Sequence, residues 1–223
     1  MIQIQEMTTK NPIQAIGYEA GVCWGANIDD AEKNYKRGLD CIKSNHGRTL
    51  EFPQIYITIS GYSARMMREL YTHIGGAPTR LQASTRYIDY GEFSYITPPS
   101  IANKPHALEI YDGVMNAIKE ASAQLQEVGV PKEDIANIYP LGMESKMVLR
   151  TNLRNLIDMS HQRLCSRAYW EFRKFMLELI AELDNYSEEW HNLINLDVFQ
   201  PKCELMGFCT EKKSCGRMEK KNE

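Results

Sequence analysis

Long apolar runs are missing from this chain, and no stretch approaches the roughly 20 residues that a bilayer-crossing helix needs. Met1 to Lys10 is polar and lacks the apolar core of a secretory leader. A basic excess is missing too: 26 Lys and Arg against 29 Asp and Glu leave a formal net charge of −3, which argues against a general nucleic-acid binder. There is no internal repeat and no low-complexity linker. These absences predict a cytoplasmic protein that engages neither membrane nor nucleic acid. In that compartment its 6 cysteines are expected as thiols or metal ligands, not disulfides. No cysteine has an activating base beside it in sequence, so none stands out as a nucleophile.

What is present is ordinary for a globular protein: 43% apolar and 25% charged residues in 223 positions, enough for one domain with a sizeable core or a compact pair of lobes. Met1 to Gln5 alternates like a short strand. Asp29-Asp30 caps a predicted helix carrying Ala31, Tyr35, Leu39 and Ile42 at helical spacing. Ile55, Ile57 and Ile59 alternate with Tyr56 and Thr58 as a half-buried strand, which Gly61 is expected to break. Ser63 to His73 reads as a helix, Gly75 to Thr79 as a loop, and the aromatic segment Tyr87 to Tyr95 as a returning strand. From Pro105 to Val128 a long helix is predicted, with Ala107, Ile110, Val114, Ile118, Ala121 and Leu125 on its buried face. Strands mixed with long helices predict an α+β fold, an antiparallel sheet packed with long helices.

The densest chemistry lies between Tyr139 and Arg173. Asn152, Arg154, Asp158, His161, Arg163 and Arg167 sit among Leu153, Leu156, Ile157, Leu164 and Ala168 at the steps of an amphipathic helix, with Thr151 or Ser145 as candidate caps. On one helix, Arg150, Arg154 and Asp158 share one face, and Arg163, Arg167 and Glu171 another. Glutamate partners four residues away are mostly absent. Two readings stand: a solvated basic face, or arginines aimed at phosphates and an electron-rich ring.

Pro140-Leu141, Asn152-Leu153-Arg154, Arg163 and Ala168-Tyr169-Trp170-Glu171-Phe172-Arg173 resemble the C-terminal signature of the flavin-dependent thymidylate synthases. Those enzymes carry Leu-Pro-Leu, Asn-x-Arg, an arginine nine residues further on, and Ala-Gln-Trp-Glu-Ile-Arg; the offsets from Arg154 to Arg163 and on to Trp170 match without gaps. A second match is Leu81-Gln82-Ala83-Ser84-Thr85-Arg86-Tyr87, which resembles the family's Ser-x-Arg-Tyr. Departures cluster elsewhere. Thr72-His73-Ile74 stands where the family has Arg-His-Arg, the loop to Ser84 is rebuilt, Glu51-Phe52 replaces Glu-His, and Ala136 stands where an arginine is expected. The chain is thus identified as a divergent member.

The resemblance implies a methyltransferase that passes a one-carbon unit from methylenetetrahydrofolate through flavin to deoxyuridylate, with FAD bound and NADPH as reductant. It implies that Arg163 is catalytic and contacts the substrate together with Gln82, Ser84 and Arg86. It implies that His73, Arg80, Asn152, Arg154 and Asp158 contact the flavin, and that the protein is a homotetramer with shared active sites. Two alternatives remain: a related flavin enzyme acting on another pyrimidine nucleotide, and a nucleotide-binding relative without catalysis. Residues 1–199 are expected to form the catalytic domain and residues 200–223 a cysteine-containing tail. In that tail the spacing Cys203, Cys209, Cys215, with Gly207 and Gly216 nearby, suggests a structural zinc, for which His191 is the nearest histidine that can serve as a fourth ligand; free thiols are the other reading.

Overall fold

Isoleucines 55, 57 and 59 are fully buried, and the residues between them are half-buried, as a sheet face packed on a core requires. A computed structural model of the chain describes residues 1–220; residues 221–223, the end of the charged run that begins at Glu219, lie outside the described residues. The strands are β1 (Ile2–Ile4), β2 (Gln54–Ser63), β3 (Thr79–Gln82) and β4 (Glu144–Asn152), in one sheet ordered β1-β2-β4-β3. Every pairing is antiparallel. Gln5 N–H donates to Tyr56 O, Leu153 N–H to Pro53 O while Ala64 N–H donates to Met143 O, and Ala83 N–H to Lys146 O. The helices are α1 (Pro12–Cys23), α2 (Ala31–Lys43), α3 (Ala64–Leu70), α4 (Pro99–Ala102), α5 (Pro105–Glu127), α6 (Lys132–Ile135), α7 (Leu153–Arg163), α8 (Trp170–Tyr186), α9 (Glu188–Ile194) and α10 (Lys202–Met206). The expected α+β class, an antiparallel sheet with long helices, is the observed one.

The chain divides into two compact units, one of Met1, 59–71 and 81–147, the other of 2–58, 72–80 and the residues from 148 onward. The second unit holds the larger helical core. Glycines at both sides of the α1–α2 contact allow it: a Cβ on Gly17 would lie 1.7 Å from Asn34 O, and one on Gly38 2.0 Å from Ile13 O. α8 buries Phe172, Phe175, Met176, Leu179 and Leu183, and the N-terminal segment is tied to α8 by Tyr186 Oη, donating to Thr8 O at 3.2 Å, and to α9 by Trp190 Nε1, donating to Thr9 O at 2.8 Å. In the first unit, α3 buries Met66, Met67 and Leu70, and α5 packs Met115 against Phe93 and Met143 with Tyr90, Tyr95, Tyr111, Ile118 and Tyr139 around them.

Several expected elements differ. Gly61 bends β2 at φ +75° without ending it, and α3 stops at Leu70, short of His73. The segment 87–95 is turns with one bridge, Tyr95 to Met143, because Tyr90, Phe93 and Tyr95 fill the aromatic cluster instead of a sheet face. Residues 144–152 are a strand, so Arg150 does not share a helix face with Arg154. The helix cap is Asn152, whose Oδ1 accepts from Asn155 N–H at 2.9 Å; neither Ser145 nor Thr151 serves. The helix ends at Arg163 and restarts at Trp170, so Arg163, Arg167 and Glu171 do not form one face. On α5 the inward stripe is Tyr111, Met115, Ile118 and Ser122, while Ile110 and Val114 are 56% and 52% exposed.

Candidate functional site

In the second unit, the loop 72–80 lies against the start of α7. Gly76 sits at φ +65°, and a Cβ there would meet Asn152 Nδ2 at 2.1 Å; one on Gly75 would meet Asn155 Oδ1 at 2.9 Å. The two glycines thus let the loop backbone press onto the α7 cap. Arg150 Nη2 pins the same loop, donating to Ala77 O at 3.0 Å and Thr79 Oγ1 at 3.2 Å. Arg80 Nη2 donates to His73 O.

At the far end of α7, Arg163 Nε donates to His73 Nε2 at 2.9 Å. Its guanidinium lies 4.5 Å from the ring centroid of Phe172, and His73 lies 5.4 Å from the same ring. Nη2 of Arg163 is 3.4 Å from Thr72 Oγ1. His73 is only 7% exposed, and burial, with Arg163 and Arg80 adding to it, pulls its pKa from 6.5 to about 4, so it is a neutral acceptor at physiological pH. A histidine that only complemented a helix end would keep its charge; His73 does not, and it stands beyond the end of α3.

Of the other expected cofactor residues, Asp158 lines a cavity of about 580 Å³ with His73, Gly75, Asn155, His161 and Lys202. His161 is held below its ordinary pKa, chiefly by burial. Arg154 turns to Glu51 at 2.7 Å, and Asn152 is committed to its capping bond. The arginines of 150–167 find partners far off in sequence: Arg150 in the loop, Arg154 at Glu51, Arg163 at His73, and Arg167 at Glu211, 3.4 Å away. The expected substrate residues Gln82, Ser84 and Arg86 belong to the first unit. Gln82 Nε2 donates to Ser145 Oγ at 3.1 Å, Ser84 Oγ accepts from Arg86 N–H at 3.2 Å, and Arg86 Nε reaches Glu133 at 3.1 Å over the Tyr87 ring.

The tail cysteines do not make the expected zinc centre. Among the described residues no group of three or more His, Cys, Asp or Glu side chains is placed to hold a metal. His191 is bonded to Asp184 at 2.9 Å and Asn195 at 3.0 Å. Cys203, Cys209 and Cys215 do line one cavity of about 580 Å³, together with Cys165, His161, Arg163 and Arg217. Burial pushes the Cys203 thiol up, while a hydrogen bond from Ser166 lowers that of exposed Cys215. Sequence reasoning missed Cys165, which has no spacing to the other cysteines that would mark it. It also missed the role of Phe172 beneath Arg163; the family-like Trp-Glu-Phe-Arg run held the signal.

An α+β chain that holds one guanidinium between a neutral histidine and a phenyl face, beside a polar cavity, presents a fixed cationic group of the kind an enzyme of anionic substrates uses. The sequence profile of the thymidylate synthase complementing protein family matches residues 4–186, and the chain belongs to that family. Among curated relatives, the flavin-dependent thymidylate synthase of Thermococcus onnurineus is 27% identical over 214 residues, covering 91% of this chain and 86% of the relative. That of Geobacter sulfurreducens is 28% identical over 181 residues, 77% of each chain. That of Clostridium tetani is 24% identical over 233 residues, 94% of this chain and 90% of the relative. No helix among the described residues is long and apolar enough to cross a membrane.

Proposed function

We propose that the protein is a flavin-dependent thymidylate synthase that methylates deoxyuridylate with methylenetetrahydrofolate and NADPH. The observation that carries the reading is Arg163, matched to the family signature by position and held rigidly by His73 and Phe172. Methylation at C5 of the pyrimidine requires that carbon to become nucleophilic, so negative charge builds on the ring carbonyl oxygens. A guanidinium fixed beforehand stabilises that charge without reorganising. Gln82, Ser84 and Arg86 bind the nucleotide in this reading, with the Ser84 hydroxyl and the Arg86 guanidinium suited to phosphate. The flavin, FAD, supplies the redox and one-carbon transfer chemistry when bound. The residues present fit such a group: the cavity beside Asp158 offers room and polar walls in Asn155 and His161, and Arg154, outside that cavity and paired with Glu51, is half-exposed. Arg80, Asn152, Arg154 and Asp158 make up the flavin side.

The assembly in this proposal is a homotetramer in the cytoplasm, and the exposed apolar stripe of α5, with Ile110 and Val114, supports association. Residues 1–199 form the catalytic part and residues from 200 a tail appended to it. The test is NADPH-driven flavin reduction with and without deoxyuridylate, followed by product analysis with methylenetetrahydrofolate. Thymidylate is the expected product. Flavin reduction without any thymidylate, at saturating nucleotide and folate, overturns the substrate assignment, and failure to bind FAD at all overturns the enzyme assignment.

A further inference from the structure

We infer that His73 is a positioning residue for Arg163: its Nε2 accepts the Nε–H of Arg163 at 2.9 Å and, with the Phe172 ring 4.5 Å from the guanidinium, sets the plane and reach of that side chain. The inference rests on the proposed role of Arg163 and gives His73 a task other than contacting flavin.

Three contacts make the arrangement directional. Arg163 closes α7, where its backbone is fixed by the last helical turn, but a long side chain beyond that point retains several rotatable bonds. The bond to His73 engages the Nε–H, and Nη2 on the same edge lies 3.4 Å from Thr72 Oγ1, so rotation about the terminal bonds is stopped at one setting. The Phe172 ring, fully buried, lies beneath the guanidinium at 4.5 Å and is tilted against the imidazole at 5.4 Å, so one ring supports both groups. His73 is itself held through its backbone carbonyl by Arg80. A histidine can do this only with the proton on Nδ1 and none on Nε2. Burial and the two neighbouring guanidinium groups keep it in that state, with a pKa near 4.

A donor displaced by about 1 Å from its productive position can cost on the order of 100-fold in rate. His73→Leu removes the acceptor, and His73→Gln offers an amide oxygen in its place. Two measurements on the full-length, flavin-loaded protein decide the matter. First, in wild type the imidazole 15N shifts are expected to show an unprotonated, hydrogen-bonded Nε2, and the Arg163 Nε–H, assigned by its loss in Arg163→Lys, to be protected from exchange. That protection is expected to vanish in His73→Leu and to return in His73→Gln. Second, His73→Leu is expected to lose about 100-fold in kcat with KM for deoxyuridylate and flavin content little changed, and His73→Gln to recover most of it.

A protonated Nε2 in wild type overturns the inference without any variant, and so covers the case in which His73→Leu does not fold. So does an Arg163 Nε–H that stays protected in His73→Leu, or a His73→Leu enzyme that loses flavin but turns over normally once flavin is restored. If the Nε–H responds as expected but Arg163→Ala retains full activity, the positioning stands and the assigned role of Arg163 falls.

Discussion

At the scale of single residues, Arg163 and His73 carry the sharpest expectations. In the proposed role Arg163 is a donor that strengthens as charge develops on the pyrimidine, so in Arg163→Ala kcat is expected to fall roughly 100- to 1000-fold with fold and flavin retained. Arg163→Lys recovers little, because an ammonium has no Nε–H to give His73 while also reaching the ring. Product formation under saturating nucleotide checks both. His73 links the same contact to acid stability. Its pKa is lowered from 6.5 to about 4 in the fold, so between those values the unfolded chain binds the proton that the folded one refuses. Stability from this group is present above pH 6.5 and is lost as pH falls through the window down to about 4. One proton of difference gives a slope of up to about 1.4 kcal/mol per pH unit. Urea midpoints measured across that window are expected to fall less steeply in His73→Gln than in wild type; parallel curves would falsify the assignment.

Among the elements, the anchoring of α1 is the clearest case of one side chain holding a helix. Glu189, on α9 and buried, accepts from Ile13 N–H at 2.8 Å and Gln14 N–H at 3.0 Å, two amides of the first turn that have no partner within the helix. Pro12 opens that turn and Asn11 makes no side-chain cap, so the distant glutamate does the capping and also favours the positive end of the helix dipole. Glu189→Ala is expected to destabilise the protein by roughly 2–3 kcal/mol, with Glu189→Gln recovering part of the loss, as read from denaturant unfolding. The α1–α2 contact gives the opposite kind of sensitivity. Alanine normally favours a helix interior over glycine by about 1 kcal/mol, but at Gly38 its methyl would sit 2.0 Å from Ile13 O. Gly38→Ala is therefore expected to lower stability despite the gain in propensity, and a raised melting temperature would refute the tight packing.

For the molecule as a whole, α5 presents two apolar stripes. One is used within the first unit, by Tyr111, Met115 and Ile118; the other, with Ile110 and Val114, faces outward. In the proposed homotetramer the outward stripe is covered by another copy. A double substitution, Ile110→Glu with Val114→Glu, is expected to leave helicity intact while shifting sedimentation toward smaller species, because like charges and lost apolar burial both oppose association. An unchanged sedimentation profile would place the interface elsewhere.

Much of this architecture is legible in the linear chain. The period-two isoleucines of β2, the Asp30 cap of α2 and the long helix after Pro105 all depend on local pattern, and each formed where the pattern put it. The family signature likewise survives as fixed offsets along α7 and α8. What failed were choices between patterns that are locally equivalent. Met147 and Leu149 alternate as a strand, yet they adjoin Leu153 and Leu156 closely enough to extend a helical stripe, and only pairing with β2 and β3 makes 144–152 a strand. Tyr90, Phe93 and Tyr95 suit a sheet face as well as a core, and a cluster around Met115 claimed them. The arginines of 150–167 look unpartnered because their acceptors lie far off in sequence. His73 is 90 positions from Arg163, and a histidine becomes a neutral acceptor only when burial and a neighbouring guanidinium act on it together. Local spacing determined which residues match the family signature; the tertiary fold alone decided their protonation, their orientation and their partners, because those depend on distances that sequence separation does not encode.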